Sequence, residues 1–208
     1  MVKRTDAGNR AMSITQLENK NFNVMEFEGD WHNALGNPEL TGTWLIYGPP
    51  KHGKTRFTLQ LAKYLTRFAK VAYDSLEEGV SETIKRAVID THFEPREKKR
   101  IIILHKETVE QLLIRLRRKK SPKIVFIDSL QYTGMSYMDY IRFKDEFPGK
   151  LFIFISHSEG KFPAGQVARR VQFDANIYIR VDAFKAYPTG RYGGGKEYTI
   201  WEEGALKY

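Results

Sequence analysis

A glycine-rich stretch of the chain, residues 48–55, has the composition and spacing of a phosphate-binding loop. It reads GPPKHGKT and fits the pattern G-x-x-x-x-G-K-[ST]. Glycines let the backbone turn tightly and direct N–H groups at phosphate oxygens, and the helix that follows adds its positive N-terminus. We expect Lys54 to reach the β- and γ-phosphates of ATP and the Thr55 hydroxyl to bind Mg²⁺. The predicted cofactor-binding residues are Gly48, Pro49, Pro50, Lys51, His52, Gly53, Lys54, Thr55 and Arg56.

A further carboxylate for the metal stands at the end of a later apolar segment. The sequence IVFID, residues 124–128, places Asp128 directly after four apolar residues, as at the carboxyl end of a buried strand. Parallel α/β sheets bind their ligands at this end of the strands. We therefore expect Asp128 to hold Mg²⁺ together with Thr55. The alternative is that Asp128 is the N-cap of the following helix.

Hydrolysis of a triphosphate also needs a group that orients or activates water. Glu77 and Glu78 follow the apolar segment VAYDSL, and we expect Glu77 to be the catalytic base. The alternative is that both are first-turn acids favoured by the dipole of the next helix. Ser156 and His157 close a later strand at the same edge, where a polar side chain contacts the γ-phosphate; a surface histidine without a role is the alternative.

The elements that must position these groups alternate between strand and helix. Continuous apolar segments predict strands at 43–48, 70–76, 100–106, 123–129 and 150–158, and helical spacing predicts helices at 54–69, 80–91, 107–119 and 136–146. Two terminal strands, 175–184 and 196–203, are predicted to be joined through the glycine-rich TGRYGGG. The pattern predicts an α/β fold with a mostly parallel central sheet, flanking helices and a C-terminal antiparallel hairpin.

The predicted domains are an N-terminal arm, residues 1–43, and a core domain, residues 44–208. The arm lacks clean periodicity and is expected to pack on the core and to fray at its start. The basic beginning MVKRTDAGNR lacks the apolar region of a secretory signal, and no apolar run is long enough to span a membrane. The chain has no cysteine, which excludes disulfides and thiolate metal sites and fits a cytoplasmic location.

The charge of the chain favours an anionic partner. The 208 residues carry a net charge of +9, with nucleic acid as the first candidate and plain solubility as the alternative. Two basic runs, residues 95–100 and 115–120, precede predicted strands, as do Lys70, Lys123 and Lys150. We therefore expect these cations at the amino edge of the sheet, where they either bind a phosphate backbone or are simply solvated.

Four segments of the chain, taken in order, resemble the RecA-like P-loop ATPases, in the branch of RadA-type recombination proteins, KaiC and DnaB-type replicative helicases. They are GPPKHGKT, YDSLEEG, IVFIDSLQ and FISHSEGKFPAGQVARRVQFDANIYIRV, within about residues 40–200. The Gly-Pro-Pro-Lys start of the loop also resembles small phage ATPases of the single-strand annealing type. The resemblance implies a Mg-ATP hydrolase in DNA recombination, replication or repair that associates into a ring or filament.

The same resemblance implies roles for individual residues. Glu77 matches the catalytic glutamate, Asp128 the Walker B aspartate, and His157 the residue that senses the γ-phosphate and couples to a DNA-binding loop. Arg191 matches the arginine of a Lys-x-Arg pair that reaches a neighbouring subunit, although Thr189 stands where that family has the lysine. The implied DNA contacts are Lys161, Arg169 and Arg170.

Two other functions compete with a DNA-processing ATPase. One is a nucleotide-dependent switch or loader that acts on a protein partner without binding DNA. The other is a small-molecule phosphotransferase, which also uses a phosphate-binding loop. The second is disfavoured because no Arg-rich lid segment is evident and because Glu77 suits water activation better than transfer to an acceptor.

Overall fold

A central sheet runs through the computed structural model, which describes residues 11–208. Its strands are β1 (Gly42–Gly48), β2 (Val71–Ser75), β3 (Ile101–His105), β4 (Ile124–Asp128), β5 (Leu151–Glu159), β6 (Phe162–Pro163), β7 (Ile177–Asp182), β8 (Lys185–Gly190) and β9 (Tyr198–Thr199). The order is β3-β2-β4-β5-β1-β7-β8-β9, and β6 pairs with the end of β5. Pairing is parallel from β3 to β7 and antiparallel at β8, β9 and β6. The predicted α/β fold with its C-terminal antiparallel hairpin is confirmed.

Helices cover both faces of the sheet. They are α1 (Ile14–Glu18), α2 (Gly29–Leu35), α3 (Lys54–Leu65), α4 (Glu82–Asp90), α5 (Pro95–Lys98), α6 (Val109–Leu116), α7 (Tyr137–Glu146), α8 (Gln166–Asp174) and α9 (Glu202–Ala205), with a 3-10 turn at Leu130–Thr133. Side chains alternate between faces along a strand. Trp44 and Ile46 of β1 therefore enter a cluster with α2 and α3, while Leu45 enters a second cluster with α6, α7 and α8. None of these helices has the length and apolar character needed to cross a membrane.

In-register parallel pairing brings the carboxyl ends of β2, β4, β5 and β1 to one edge of the sheet. Ser75 lies opposite Asp128 in neighbouring strands, and Gly48 lies opposite His157. Neighbouring strands are about 4.8 Å apart, so groups that follow these ends meet within a few strand widths. This edge is where the sequence motifs place their polar residues.

The N-terminal segment contributes directly to the core from about Met25 onward. Met25, Phe27 and Leu40 are buried in the cluster around α3. Trp31 of α2 stacks on Tyr198 with ring centroids 4.3 Å apart, so the segment also contacts β9. Helix α1 buries no side chain. The first ten residues of the arm, where fraying was expected, lie outside the described part of the chain.

The C-terminal hairpin turns at a different place from the one that the sequence predicts. The predicted strands are 175–184 and 196–203, whereas β7 pairs with β8 and residues 196–203 hold only β9 and the start of α9. The tight turn is at Ala183 and Phe184, whose φ angles are 48° and 55°. Turns with positive φ usually carry glycine or asparagine, so the sequence gives no sign of a turn at Ala183 and Phe184. Proline is rare within strands, so Pro188 argues against the strand that β8 forms. For these two reasons the sequence does not predict the β7–β8 hairpin.

One buried carboxylate of the sheet makes stability depend on pH. Asp74 of β2 is fully buried; its Oδ1 accepts a hydrogen bond from the Glu107 backbone at 3.2 Å, and its Oδ2 has no hydrogen-bond partner among residues 11–208. Burial raises the pKa of Asp74 to about 6. Because the folded pKa exceeds the unfolded value of about 3.9, the fold favours the protonated acid. The stability that protonated Asp74 contributes to the fold is fully present below about pH 4 and is lost as pH rises through 6.

We expect Asp74→Asn to remove that pH dependence, since an amide stays neutral. The free energy of unfolding of the wild type should fall by an amount on the order of 1–3 kcal/mol between pH 4 and pH 7, relative to the variant. Urea denaturation across this range measures the difference, with the exposed Asp90→Asn as control. Parallel pH profiles for wild type and Asp74→Asn would show that Asp74 is ionised in the fold throughout.

Candidate nucleotide-binding site

A cleft of about 380 Å³ opens at the carboxyl edge of the sheet. Its walls are the loop after β1, the first turn of α3, the segments after β2, β4 and β5, and the turn between β7 and β8. The lining residues are Pro50, Lys51, Gly53, Lys54, Thr55, Arg56, Ser75, Glu77, Glu78, Asp128, His157 and Phe184. The cleft thus unites both predicted metal ligands with every predicted catalytic residue except Arg191.

The loop between β1 and α3 is closed around the lysine ammonium. Lys54 Nζ donates to the backbone oxygens of Gly48 and Pro49 at 2.7 and 2.8 Å. Helix α3 begins at Lys54, and its N-cap Gly53 has no side chain to cap it, so the first N–H groups of the helix keep their hydrogen-bonding capacity beside the cleft. Burial lowers the pKa of Lys54, while the carboxylates of Asp128 and Glu77 oppose that shift. A cation and uncapped N–H groups together form an anion-binding corner.

Both glycines of the loop are required by the hairpin that packs on it. A Cβ at Gly48 would lie 2.0 Å from the backbone oxygen of Val181 in β7. Gly53 has a φ of +96°, and a Cβ there would lie 2.8 Å from the ring of Phe184. The glycines of the motif therefore allow close approach of the β7–β8 hairpin as well as a tight turn.

His52, one of the predicted cofactor-binding residues, turns its side chain toward the hairpin. Its Nδ1 lies 2.9 Å from Asp182 Oδ1 and 3.0 Å from the backbone nitrogen of Ala183. The backbone oxygen of His52 accepts a hydrogen bond from Phe184 at 3.2 Å. Neither His52 nor Pro49 lines the cleft. The His52 ring thus anchors the loop to the hairpin, and only its backbone remains a candidate for phosphate binding.

Aromatic side chains from the C-terminal segment surround this corner. Arg56 lies over the Trp201 ring at 5.0 Å, and Trp201 packs edge-on against Phe184 at 5.1 Å. Tyr208 lies beside the His52 ring, with centroids 4.9 Å apart. No sequence pattern links these residues to the loop, because they follow it by more than a hundred positions. Phe184 is the one that reaches the cleft itself.

Asp128 lies at the floor of the cleft and is not a helix cap. The turn that follows has Ser129 at its N-cap position, with no side-chain cap bond. Asp128 Oδ2 instead accepts a hydrogen bond from the Tyr73 hydroxyl at 2.5 Å, and that hydroxyl lies 3.0 Å from Thr58 Oγ1 of α3. Burial raises the pKa of Asp128 to about 6, against the lowering effect of the Tyr73 hydrogen bond. Tyr73, which no motif indicates, is thus the residue that orients this carboxylate.

Glu77 lies beside His157 within the cleft. Its backbone N–H and that of Leu76 donate to the backbone oxygen of Asp128 at 3.1 and 2.6 Å, which fixes the segment after β2 against β4. Glu77 Oε2 lies 3.3 Å from His157 Nε2, and each side chain is about one-third exposed. A carboxylate and an imidazole in contact, open to solvent and close to Lys54, can hold and deprotonate a water molecule.

Glu78 takes a different position from Glu77. It accepts hydrogen bonds from the hydroxyls of Ser81, at 3.3 Å, and of Thr83. Ser81 is the N-cap of α4, so Glu78 is bonded to hydroxyls at the start of the next helix. Neither carboxylate is in the first turn of α4, where the acid is Glu82; Glu78 contacts the hydroxyls at the start of that helix, and Glu77 contacts His157.

Gln131 connects the segments that follow β4 and β5. Its Nε2 donates to Ser156 Oγ at 2.8 Å and to the backbone oxygen of Ala164 at 3.0 Å. The Ala164 backbone N–H donates to the oxygen of His157 at 2.9 Å. The sequence offers only one hint of this role, the position of Gln131 shortly after Asp128 at a strand end. Through these bonds, the segment beyond His157 is attached to both strand ends.

The predicted DNA-contacting residues lie on and after the β5–β6 hairpin. Lys161 is exposed at its tip. Arg169 donates to Glu159 Oε2 at 3.1 Å, and Arg170 stacks on the Tyr137 ring at 3.8 Å. Two of the three cations are therefore engaged within the chain, although all three side chains are exposed.

Arg191 lies away from the cleft of its own chain. It follows β8, whose last residue Gly190 pairs with Ile177 at the start of β7, so Arg191 stands at the amino edge of the sheet. A separate cavity of about 630 Å³ is lined by Arg191 and also by Arg169, Phe162 and Phe173, so it extends from the amino edge along α8 toward the β5–β6 hairpin. A role for Arg191 in hydrolysis requires a neighbouring copy and stays a prediction.

The strand order and the loop give this chain the fold of RecA-like P-loop proteins, as the sequence resemblance led us to expect. No protein family profile and no curated protein matches the sequence. Among solved structures, the flagellar accessory protein FlaH from Methanocaldococcus jannaschii superposes with a TM-score of 0.62 at 15% identity, over 84% of this chain and 92% of that one. The RadB recombinase gives a TM-score of 0.54 at 16% identity, over 81% of this chain and 90% of that one.

Proposed function

We propose that the protein is a Mg-ATP-binding and ATP-hydrolysing enzyme that acts on DNA. The observation that carries this proposal is the contact between Glu77 and His157, 3.3 Å apart, in the same cleft as Lys54 and Asp128. A nucleotide-binding protein without hydrolysis needs the loop alone. A carboxylate that contacts an imidazole beside the phosphate corner supports a hydrolytic site.

The donor set of the cleft fits a magnesium ion that is shared with a nucleotide. Thr55 and Asp128 supply a hydroxyl and a carboxylate, which are the hard oxygen ligands that Mg²⁺ prefers. Among residues 11–208, no cluster of three or more histidine, cysteine or acidic side chains could hold a metal by itself. The protein therefore offers few ligands, as expected where phosphates and water complete the coordination. Bound Mg²⁺ would neutralise charge that develops on the phosphates.

The side chains of the cleft divide the work of hydrolysis. Lys54 and the uncapped N–H groups of α3 bind and orient the phosphates. Glu77 positions a water molecule and accepts its proton at the carboxylate. His157 holds Glu77 in place through their contact and, near the end of β5, would face the γ-phosphate of a bound nucleotide.

Coupling to DNA is proposed to pass through the segment after His157. Gln131 and the backbone of His157 both hydrogen-bond to Ala164, just after the hairpin that carries Lys161. A change at the γ-phosphate that moves His157 would therefore also move this hairpin. The net charge of +9 supports a polyanionic partner. In the same proposal, Arg191 acts across an interface between copies of the chain.

An ATPase assay with and without single- and double-stranded DNA tests the proposal. We expect Mg-dependent phosphate release that rises on adding DNA, and larger particles in a sizing measurement when Mg-ATP is present. Activity that is flat across DNA forms and salt would favour a switch or loader acting on a protein partner. Phosphate transferred to an acceptor instead of water would indicate a phosphotransferase.

We expect Tyr73→Phe to weaken Mg²⁺ binding without removing the nucleotide site. The lost hydroxyl leaves the carboxylate of Asp128 without its donor, so the pKa of Asp128 rises further above 6 and less of it is ionised at pH 7. The Mg²⁺ concentration for half-maximal nucleotide binding should rise roughly tenfold. Titration with a fluorescent ATP analogue measures this, with the exposed Tyr132→Phe as control.

The sign of the pH effect gives a second check on Tyr73. An acid with a raised pKa ionises as pH rises, so moving from pH 7 to pH 8 should restore part of the Mg²⁺ affinity in Tyr73→Phe. A Mg²⁺ dependence equal to that of the wild type at both pH values would mean that Asp128 does not hold the metal.

A further inference from the structure

The amino edge of the sheet, opposite the nucleotide cleft, carries a row of cations. Arg100, Lys70, Lys123 and Lys150 immediately precede β3, β2, β4 and β5, which are consecutive strands in the sheet. The backbone oxygens of Arg100, Lys70 and Lys123 each accept a hydrogen bond from the start of the next strand, at 2.8, 3.2 and 2.9 Å. Because neighbouring strands are about 4.8 Å apart, the backbone positions of these cations repeat at that interval. The sheet itself therefore fixes the row.

A concave surface lies beside this row. Its cavity of about 320 Å³ is lined by the cations Lys70, Lys99, Arg100, Arg115, Arg118 and Lys120. Arg115 is held by Glu107 in a hydrogen-bonded ion pair. Within residues 11–208, no carboxylate lies within ion-pair distance of the other lining cations. We call the set Lys70, Lys99, Arg100, Arg118, Lys120 and Lys123 the basic edge.

The environment of Lys150 shows how crowded the positive charge is here. Its ammonium donates to Ser121 Oγ and to the Pro122 backbone oxygen, both at 2.8 Å. Burial lowers the pKa of Lys150, and the charge of nearby Lys123 lowers it further. An anion bound at the basic edge would relieve this repulsion, which gives the surface an electrostatic preference for phosphate.

We propose that the basic edge binds the sugar–phosphate backbone of a nucleic acid, without sequence preference, at a site separate from the nucleotide cleft. A repeated row of cations beside a concave wall matches a chain of phosphates rather than a single one. A flat bilayer would meet only the rim of this concavity. The two sites lie at opposite ends of strands about five residues long, roughly 17 Å apart. The proposal does not depend on ATP hydrolysis.

A triple variant, Lys70→Gln, Lys99→Gln and Lys120→Gln, tests the proposal. All three side chains are exposed and none is in the nucleotide cleft. The matched control removes the same charge elsewhere: Lys20→Gln, Lys85→Gln and Lys196→Gln, which are also exposed. Binding of a labelled single-stranded oligonucleotide and a labelled duplex is followed by fluorescence anisotropy, without nucleotide, between about 50 and 200 mM salt. Thermal unfolding of each variant verifies that the fold is intact.

We expect the basic-edge variant to bind DNA at least about tenfold more weakly than the control variant at the lower salt concentration. The slope of log affinity against log salt should become shallower by roughly 2, since each lost phosphate contact removes about 0.7–0.9. Equal affinities and slopes for the two triple variants would overturn the proposal. So would loss of all salt-dependent binding in Lys161→Gln alone, or wild-type binding to phosphatidylserine-containing vesicles but not to DNA.

Discussion

Replacing Lys54 with alanine is expected to abolish nucleotide binding or turnover. Among residues 11–208, Lys54 is the only lysine whose ammonium donates to backbone oxygens of the loop, those of Gly48 and Pro49, at 2.7 and 2.8 Å. It also faces the carboxylates of Asp128 and Glu77, whose charges support its ionised form. The variant removes the main counter-charge for the phosphates and the ammonium that faces those two acids in the cleft. Loss of one such electrostatic partner lowers rates by about 10²–10³.

Equilibrium binding of a fluorescent ATP analogue and phosphate release measure the effect of Lys54→Ala. The matched control is Lys85→Ala, an exposed lysine of α4 that pairs with Glu82 at 3.5 Å and lies outside the cleft. Thermal unfolding of the variant should remain cooperative, because the Lys54 side chain packs against loop backbone and not in either apolar cluster. Turnover at the wild-type rate in Lys54→Ala would refute the nucleotide site as described.

The parts of the site that could be predicted are those encoded by short local patterns. The loop of residues 48–55, the segment ending at Asp128 and the pair Ser156–His157 each follow a continuous apolar strand. Parallel pairing then brings all of these strand ends to one edge without further information. The convergence of Glu77, Asp128 and His157 is therefore a consequence of topology that the alternation of strand and helix already implies.

The parts that could not be predicted depend on contacts between distant residues. Val181 packs closely against Gly48, and Phe184 against Gly53, although both belong to a hairpin more than a hundred residues later in the chain. That hairpin turns through residues with positive φ that are not glycine. No single-sequence pattern reports such a turn, because tertiary packing and not local propensity stabilises it.

A similar limit applies to residues that support the candidate catalytic groups. Tyr73 looks like an ordinary strand residue, and its link to Asp128 arises only from the pairing of β2 with β4. Gln131 looks like a turn residue, yet it bridges Ser156 and Ala164. Local patterns identify groups that would touch a ligand, whereas the residues that orient them emerge from sheet register and loop packing.

Glu77 and Glu78 are adjacent and equally acidic, so the sequence alone could not separate their contacts. The structure gives them different partners: His157 for Glu77, and the hydroxyls at the start of α4 for Glu78. A catalytic base needs access to water beside the phosphates, and a carboxylate engaged with a helix start is less available for it. This difference makes the pair a matched test within one loop.

Replacing Glu77 with glutamine is expected to leave ATP binding intact and to lower hydrolysis by about 10²–10⁴. The amide is close in size to the carboxylate and can still contact His157 at a distance similar to the present 3.3 Å, but it cannot accept a proton from water. Nucleotide binding should persist because Lys54 and the first turn of α3 are unchanged. Single-turnover phosphate release and equilibrium binding, measured on the same preparation, separate the two effects.

Glu78→Gln is the control, with the same change in charge one residue along the chain. We expect it to keep most of the hydrolysis rate and to lose some stability of α4, since the neutral side chain interacts less well with the helix N-terminus. Hydrolysis lost in Glu78→Gln but retained in Glu77→Gln would assign the base to Glu78, and would mean that the contact between Glu77 and His157 serves only to position the segment after β2. Equal and complete loss of ATP binding in both variants would instead indicate that the segment shapes the cleft without acting on water.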